Sequence, residues 1–158
     1  MAGIRAIMRT DQSADKMIAQ IPGNAYGMDI APFHEHYKRR PAFQGILQDW
    51  CRQTFDSLSQ SIACNRLHHV NERCAKWLLL TQDRVGAASF PMTQDFLSMM
   101  LGVNRTAVSI AASTLQQAGL IRYLRGSVAV QNRQGLEDAA CECYTTTSKE
   151  LNGEAKSP

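Results

Sequence analysis

The sequence lacks several features that mark large classes of protein. It contains no long apolar run, so neither a membrane span nor a membrane partner is predicted. The first nine residues contain no signal-peptide core, and we therefore expect a cytoplasmic protein. The five cysteines are odd in number and show no disulfide spacing, which agrees with a reducing compartment.

Common catalytic motifs are also missing. No Gly-x-Ser-x-Gly elbow, Gly-Lys-Ser/Thr phosphate loop or His-Glu-x-x-His metal motif occurs. A Cys74 nucleophile paired with His68 or His69 is conceivable, but Cys74 falls on an apolar helical stripe and is better explained as a core residue. We predict no catalytic residue, and an enzyme is the least supported class of function.

Two histidine groups invite a metal interpretation, which their spacing does not favour. The segments are His34-Glu35-His36 and His68-His69. Adjacent or alternate positions on a helix do not share a face, unlike the ligand pair four residues apart in a zinc helix. No metal ligand is predicted from either segment.

The segment Cys141-Glu142-Cys143 could bind a metal or sense oxidants, and Cys64 or Cys74 could complete such a site. Two sulfurs at this spacing are weak evidence, so packed or solvated thiols are the favoured interpretation. We assign no cofactor, and a thiol or metal sensor through Cys141 and Cys143 stays open as an alternative.

The positive charge of the chain is concentrated in one stretch. Residues 84–133 contain five arginines and a single acid, Asp95, and carry +4, whereas the whole chain carries only +3. A local basic surface is what binding to the phosphates of a nucleic acid requires.

The same stretch contains the pattern of two helices joined by a tight turn. Thr93 is a suitable N-cap for a first helix, whose apolar face comprises Phe96, Leu97, Met100 and Leu101. Gly102 and Val103 suit a sharp turn, and Asn104 is a suitable cap for a second helix. The buried stripe of that helix recurs three or four residues apart, at Val108, Ala111, Ala112 and Leu115.

The other face of the second helix is polar and almost uncharged beyond its N-terminal end. It carries Arg105, Thr106, Ser109, Ser113, Gln116 and Gln117. Such a helix suits the reading of base edges from its N-terminal residues. Gly119 ends the helix, and two short β runs follow, residues 121–124 and 127–131, across Arg125-Gly126. We call these two β runs and their turn the wing. An ordinary αα-hairpin is the alternative, which the wing and the local positive charge disfavour.

These residues resemble the DNA-binding domain of the bacterial Crp/Fnr transcription regulators. The resemblance lies in Thr93-Gln94-Asp95-Phe96-Leu97, in Leu101-Gly102-Val103-Asn104-Arg105-Thr106-Ala107-Val108-Ser109 and in Leu115-Gln116-Gln117-Ala118-Gly119-Leu120-Ile121. It implies a homodimeric transcriptional regulator that binds double-stranded DNA at a pseudo-palindromic operator, with RNA polymerase as a candidate partner. The expected fold is mainly α with a small β part, a winged helix-turn-helix over residues 65–144.

The resemblance also implies roles for individual residues. Arg105 is expected at a guanine edge or a nearby phosphate, Thr106 and Ser109 at base edges, and Ala107 at a thymine methyl. The remaining predicted DNA-binding residues are Thr93 and Asn104 at phosphates, Ser113 on the same polar face, and Arg122 and Arg125 on the wing. Thr106 and Ile110 stand where the best-known catabolite activators have Glu and Arg, so a different operator is expected.

The N-terminal part is predicted to be a remnant of a β-roll effector domain, residues 1–40. Residues 1–15 show no period and are expected to be a loose leader. Alternation over residues 16–21 and 25–30, around a turn at Pro22-Gly23-Asn24, predicts a β-hairpin, and residues 32–39 a short helix. No Gly-rich loop or Arg-Ser phosphate cassette is present, so no nucleotide site is assigned.

Residues 41–64 are predicted to form a long dimerisation helix with a wide apolar stripe. The residues assigned to pairing are Phe43, Ile46, Leu47, Trp50, Thr54, Leu58 and Ile62, with Cys51 and Phe55 on the same stripe. Packing within the domain is the alternative. A hinge is expected at residues 64–66, followed by a helix with Leu67, Val70, Cys74, Trp77 and Leu78 in its core stripe.

The C-terminal part is predicted to hold one closing helix, residues 134–144, and a disordered tail, residues 145–158. Lacking most of a sensor domain, the chain could also act as an interaction protein. In that alternative it would form a heterodimer with a longer regulator through residues 43–62 and modulate it.

Overall fold

The computed structural model describes residue 3, residues 6–7 and residues 17–151, with side chains described through residue 148. The chain divides into two compact units, Met1–Asp56 and Ser57–Pro158. None of the helices described is both long and apolar enough to cross a bilayer. Most of the expected leader, residues 1–15, lies outside the described residues.

The described residues of the first unit contain the predicted short helix but not the predicted hairpin. Helix α1 spans Ile30–Arg39, whereas the described residues before it, 17–29, form no strand. The hairpin prediction was therefore wrong. An isolated hairpin is marginal in water, and this segment is exposed almost throughout, with Tyr26 fully accessible to solvent. In α1, Phe33 is buried, stacks on Tyr37 and contacts Phe43 of the next helix edge to face.

Helix α2 spans Pro41–Leu67 and runs through the predicted hinge at residues 64–66. The break falls instead at His68 and His69, where the His69 backbone N–H donates to Glu72 Oε2 at 2.8 Å and begins the next helix. Leu67, predicted to lie in the core, ends α2 and is 73% exposed. Helix α3 spans Val70–Val85 and buries Cys74 and Leu78 as predicted.

The helix-turn-helix is formed as predicted. Helix α4 spans Gln94–Leu101, and helix α5 spans Arg105–Gln117. Thr93 Oγ1 accepts from the Phe96 N–H at 3.1 Å, and Asn104 Oδ1 accepts from the Ala107 N–H at 2.8 Å. Between them Gly102 has φ +64°, a backbone conformation that costs a residue with a Cβ more than glycine.

A three-stranded antiparallel sheet completes the second unit. Strands β1 (Ser89–Pro91), β2 (Ile121–Leu124) and β3 (Ser127–Val130) lie in the order β1-β3-β2. The sequence predicted β2 and β3 but missed β1, which is only three residues long. Arg125 and Gly126 connect β2 to β3 with φ +48° and +76°, the pattern of a type I′ turn.

One hydrophobic core holds the helix-turn-helix against α3 and the sheet. Each of these elements contributes large, fully buried side chains: Leu78, Leu79, Phe90, Leu97, Leu101, Val108, Ile121 and Val128. The buried Arg73 donates a hydrogen bond to the Leu101 carbonyl, and so satisfies an otherwise unpaired acceptor at the end of α4.

The C-terminal part departs from the prediction. Two helices, α6 (Arg133–Asp138) and α7 (Cys143–Leu151), replace the single closing helix, and the residues between them contain Cys141. The expected tail begins inside α7, where Thr147 is buried, and residues 152–158 lie outside the described residues. The fold class, mainly α with a small sheet, is confirmed.

The turn glycine provides a stability prediction. Gly102→Ala should lower the free energy of unfolding by about 1–2 kcal/mol, because no atom lies near the new Cβ and only the positive φ opposes it. Gly45→Ala, the same change inside α2, should instead stabilise by up to about 1 kcal/mol because alanine favours a helix. Denaturant unfolding of both variants shows whether the free energy of unfolding falls for Gly102→Ala and rises for Gly45→Ala. Equal effects would show that the turn conformation is not the cause.

Candidate nucleic-acid interface

The N-terminal ends of α4 and α5 meet on one surface. Arg105 Nη1 lies 3.4 Å from Asp95 Oδ1, and the Ser109 hydroxyl donates to Gln94 Oε1 at 2.8 Å. Both side chains of the Arg105–Asp95 pair are about two-thirds exposed, so the ion pair contributes at most about 1 kcal/mol. It orients the guanidinium and can be exchanged for a phosphate at little cost.

The tip of the wing adjoins the same surface. The Gly126 carbonyl accepts from the Met92 N–H at 2.8 Å, and a Cβ on Gly126 would lie 3.6 Å from Thr93 Cγ2. The Tyr123 hydroxyl donates to the Met92 carbonyl. Burial raises the pKa of Tyr123 to about 12, so this donor keeps its proton at neutral pH. The Arg125-Gly126 turn is thereby held beside the cap of α4.

Most of the predicted DNA-binding residues are exposed in the structure. Arg105 and Arg125 are exposed on this surface, and the others that are exposed are Thr93, Asn104, Thr106, Ser113 and Arg122. Ala107 and Ser109 are half-buried. None of these side chains is buried in the core.

The two capping residues keep donors for a partner. The Thr93 oxygen accepts from the helix, which leaves its O–H free to donate, and the Asn104 carbonyl oxygen accepts while its NH₂ group remains a donor. Donors at helix N-termini suit the oxygens of a phosphate. Ser109 differs, because its hydroxyl hydrogen is already used on Gln94, and it can offer a base edge only an acceptor.

Sequence reasoning missed three polar residues that build this surface. Asp95 entered the sequence analysis only as the single acid of the basic stretch, whereas it pairs with Arg105. Gln94 holds Ser109, and Gln116, interpreted as part of the polar face, accepts from the Tyr123 N–H at 2.8 Å and ties α5 to the wing. Nothing in the spacing of Gln94 and Ser109 predicts their contact.

The basic stretch divides between surface and internal roles. Arg133 forms ion pairs with Asp83 at 2.8 Å and with Glu137 at 2.6 Å, and is therefore engaged within the domain. Arg84 donates to the Leu80 carbonyl of its own helix at 3.4 Å, and burial lowers its pKa. Arg105, Arg122 and Arg125 remain as the exposed cations of α5 and the wing.

The predicted pairing face of α2 is unevenly buried. Leu47 is buried, and Phe43, Trp50, Cys51 and Thr54 are half-buried. In contrast Ile46, Phe55, Leu58 and Ile62 are between 53% and 71% exposed. Phe55, Leu58 and Ile62 follow one another at intervals of three and four residues and so share one face of the helix.

A second polar cluster lies in the unit Ser57–Pro158, distant in sequence from the helix-turn-helix. Cys64, Cys141 and Cys143 are buried together, and Gln60 Nε2 donates to Cys143 Sγ at 2.9 Å. Among the described residues this is where at least three potential metal ligands meet, with His68 as the fourth. Cys74 is elsewhere, within the main core, as the sequence favoured.

Two of the cluster thiols, Cys64 and Cys141, are not activated nucleophiles. Burial raises the pKa of Cys141 to about 12 and also raises that of Cys64, although the nearby Lys76 ammonium opposes the effect on Cys64. A thiol whose pKa is raised reacts slowly with oxidants, since the thiolate is the reactive form. Cys64 and Cys141 are therefore poorly suited to sensing an oxidant.

Comparison with known proteins locates the domain. A sequence profile of the Crp-like helix-turn-helix domain matches residues 72–139. A Crp/Fnr-family transcriptional regulator from Eubacterium rectale aligns with a TM-score of 0.59 and 17% identity. The alignment covers 70% of this chain and 51% of the chain of that regulator. The Thermus thermophilus catabolite activator protein aligns with a TM-score of 0.37 and 21% identity, and the alignment covers 80% of this chain and 54% of that protein. A search of curated protein sequences finds no match.

The chain therefore spans about half the length of these two solved structures. The first alignment shows a shared fold, and the profile match runs from the first turn of α3 to the end of α6. Residues 72–139 are a Crp-like helix-turn-helix domain.

Proposed function

We propose that this chain is a DNA-binding transcription regulator of the Crp/Fnr type, which acts as a homodimer in the cytoplasm on a pseudo-palindromic operator. The observation that carries the proposal is the surface where the N-terminal end of α5, the cap of α4 and the wing turn adjoin. Beside the Asp95 carboxylate, its exposed groups include hydrogen-bond donors and guanidinium groups, which suit phosphates and guanine edges.

Each part of the surface has a distinct role in this proposal. Arg105 leaves Asp95 to bind a guanine edge or an adjacent phosphate, and Thr106 and Ser109 face base edges with Ala107 against a thymine methyl. Thr93 and Asn104 donate to phosphates, and Ser113 lies further along the same face. Arg122 and Arg125 bind the flanking backbone through the wing.

A second copy of the chain is the partner that we infer for α2. The exposed Phe55, Leu58 and Ile62 leave apolar area that an identical helix would cover. Pairing two recognition helices makes a two-fold symmetric reader whose half-sites lie about one helical turn of DNA apart. A longer regulator with a similar helix would fit the same face, and the mass of the complex distinguishes the two.

The base-reading role of Arg105 has a direct test. Arg105→Ala should weaken binding to an operator selected from randomised DNA by about 1–3 kcal/mol. Its effect on the affinity for random DNA should be much smaller, because a bidentate guanine contact is sequence-specific. Competition titrations with operator and random duplexes measure the difference. Equal losses on both duplexes would remove Arg105 from base reading.

Arg125→Asn is the matched control for this test. Asparagine tolerates the positive φ of the turn, so the substitution removes the guanidinium without straining the backbone. The variant should lose affinity alike for every sequence, and the slope of log affinity against log salt should fall by about 1. A change in preferred sequence would contradict the assignment of the wing to the phosphate backbone.

A further inference from the structure

We propose that Cys64, His68, Cys141 and Cys143 bind a structural zinc ion. Their four ligand atoms lie within 4.8 Å of one another, and the three cysteines are at most 5% exposed. Three thiolates and one imidazole form a well-known ligand set for closed tetrahedral zinc sites. The inference stands apart from DNA binding, since the cluster shares no residue with the helix-turn-helix surface.

The distances fit a tetrahedron. Zinc–sulfur bonds of about 2.3 Å and zinc–nitrogen bonds of about 2.0 Å place neighbouring ligand atoms roughly 3.5–3.8 Å apart. Cys64 Sγ lies 3.6 Å from Cys141 Sγ, and Cys143 Sγ lies 3.6 Å from His68 Nδ1. The widest pair needs to close by at most about 1 Å, which side-chain rotation can supply.

The backbone arranges the ligands in two pairs. The His68 N–H donates to the Cys64 carbonyl at 3.1 Å, so helical geometry continues one residue beyond α2 and places both side chains on one face. The Tyr144 N–H donates to the Cys141 carbonyl at 2.9 Å, which forms a turn around Glu142. That turn directs the Cys141 and Cys143 sulfurs to the same point.

The polar groups around the four ligands are also those expected of a zinc site. His68 directs Nδ1 to the sulfurs, while its Nε2 lies 3.1 Å from the Glu142 carboxylate. A carboxylate on the second nitrogen fixes the orientation of a ligating histidine and strengthens it as a donor. Gln60 donates to the Cys143 sulfur, and the buried Lys76 ammonium near Cys64 balances the net negative charge of three thiolates around Zn²⁺.

A zinc ion at this site would link two segments that are distant in sequence. All four positions are occupied by protein ligands, which is the arrangement of structural rather than catalytic zinc. The ion would join the C-terminal end of α2 to Cys141, between α6 and α7, and to Cys143, the first residue of α7, and so would anchor the start of that helix.

The test uses the full chain, purified under reducing conditions and stripped of metal with a chelator. Titration with Co²⁺ should give the intense visible bands of a tetrahedral site and sulfur-to-cobalt charge transfer, with saturation at one ion per chain. Zn²⁺ should displace the cobalt, and the protein as isolated should contain zinc by elemental mass spectrometry. Cys64→Ser, Cys141→Ser and Cys143→Ser should each lose the wild-type spectrum, whereas Cys51→Ser should keep it.

Glu142→Gln tests the positioning role without touching a ligand. Its carboxylate is largely exposed, so the fold does not depend on it. The variant should keep the cobalt spectrum but bind zinc on the order of 10- to 100-fold more weakly.

Three results would overturn the proposal. One is wild-type protein with no thiolate–cobalt bands, and another is a ligand variant that retains the full spectrum. The third is oxidation of the metal-free chain to a Cys64–Cys141 disulfide without any cobalt binding, which would assign the cluster to thiol chemistry. Because no readout involves DNA, failure here leaves the DNA-binding proposal untouched, and the reverse also holds.

Discussion

Leu58→Glu should convert the protein from a dimer to a monomer and weaken operator binding by about 100- to 10,000-fold. Leu58 is 55% exposed and lies four residues before Ile62, on the apolar face assigned to pairing. A carboxylate there would be desolvated without a partner if two copies met. The loss on DNA follows because two linked half-site contacts bind far more tightly than one.

The control for Leu58→Glu is Gln53→Glu. It adds the same charge to the same helix, five residues earlier and so toward the opposite side. Light scattering should report a dimer for this variant and a monomer for Leu58→Glu, with circular dichroism confirming that both keep their helices. A dimeric Leu58→Glu protein with wild-type affinity would remove this face of α2 from the interface.

Leu78→Ala should lower the free energy of unfolding by about 2–5 kcal/mol. Leu78 has no exposed area and belongs to the core that joins α3 to the helix-turn-helix and sheet. Truncating it loses the burial of the missing carbons and leaves a cavity that its neighbours fill only partly. An effect of this size is a large fraction of the stability of a small domain.

Leu67→Ala is the matched control for Leu78→Ala, since it makes the same chemical change at a side chain that is 73% exposed. It should change the free energy of unfolding by no more than about 0.5 kcal/mol. Denaturant titration of both variants gives the comparison. A small loss for Leu78→Ala would mean that α3 does not support the domain in the way the burial indicates.

The helix-turn-helix could be predicted from sequence because its signals are local. Thr93 and Asn104 accept from N–H groups three residues ahead, and Gly102 adopts its positive φ between them. Each of these features depends on a few adjacent residues, so spacing alone identifies it.

The incorrect predictions concern segments whose conformation depends on distant contacts. Alternation over residues 16–30 predicted a hairpin, but an isolated hairpin is marginal in water, and the described residues 17–29 form no strand. The Thr-rich segment after Tyr144 has weak helix propensity, yet it is helical with Thr147 buried and Tyr144 bonded to Asp83 at 2.9 Å. Tertiary packing outweighs propensity there.

The cysteine cluster shows the same limit in the candidate sites. Cys64 and His68 have the four-residue spacing of helical ligands, but the expected hinge at residues 64–66 concealed it. Cys64 and Cys141 are 77 residues apart, and no local pattern predicts their 3.6 Å approach. Likewise Asp95 could not be identified as the partner of Arg105 without the turn geometry that brings α4 and α5 together.

The most direct test of the central claim is selection of bound sequences from a randomised DNA pool, with the mass of the protein–DNA complex measured on the enriched duplex. The account predicts one enriched motif with two-fold symmetry, half-sites about one helical turn apart, and two chains per duplex. Weak, salt-sensitive binding with no enriched motif would contradict it, because the helix-turn-helix would then be a fold without sequence-specific DNA binding.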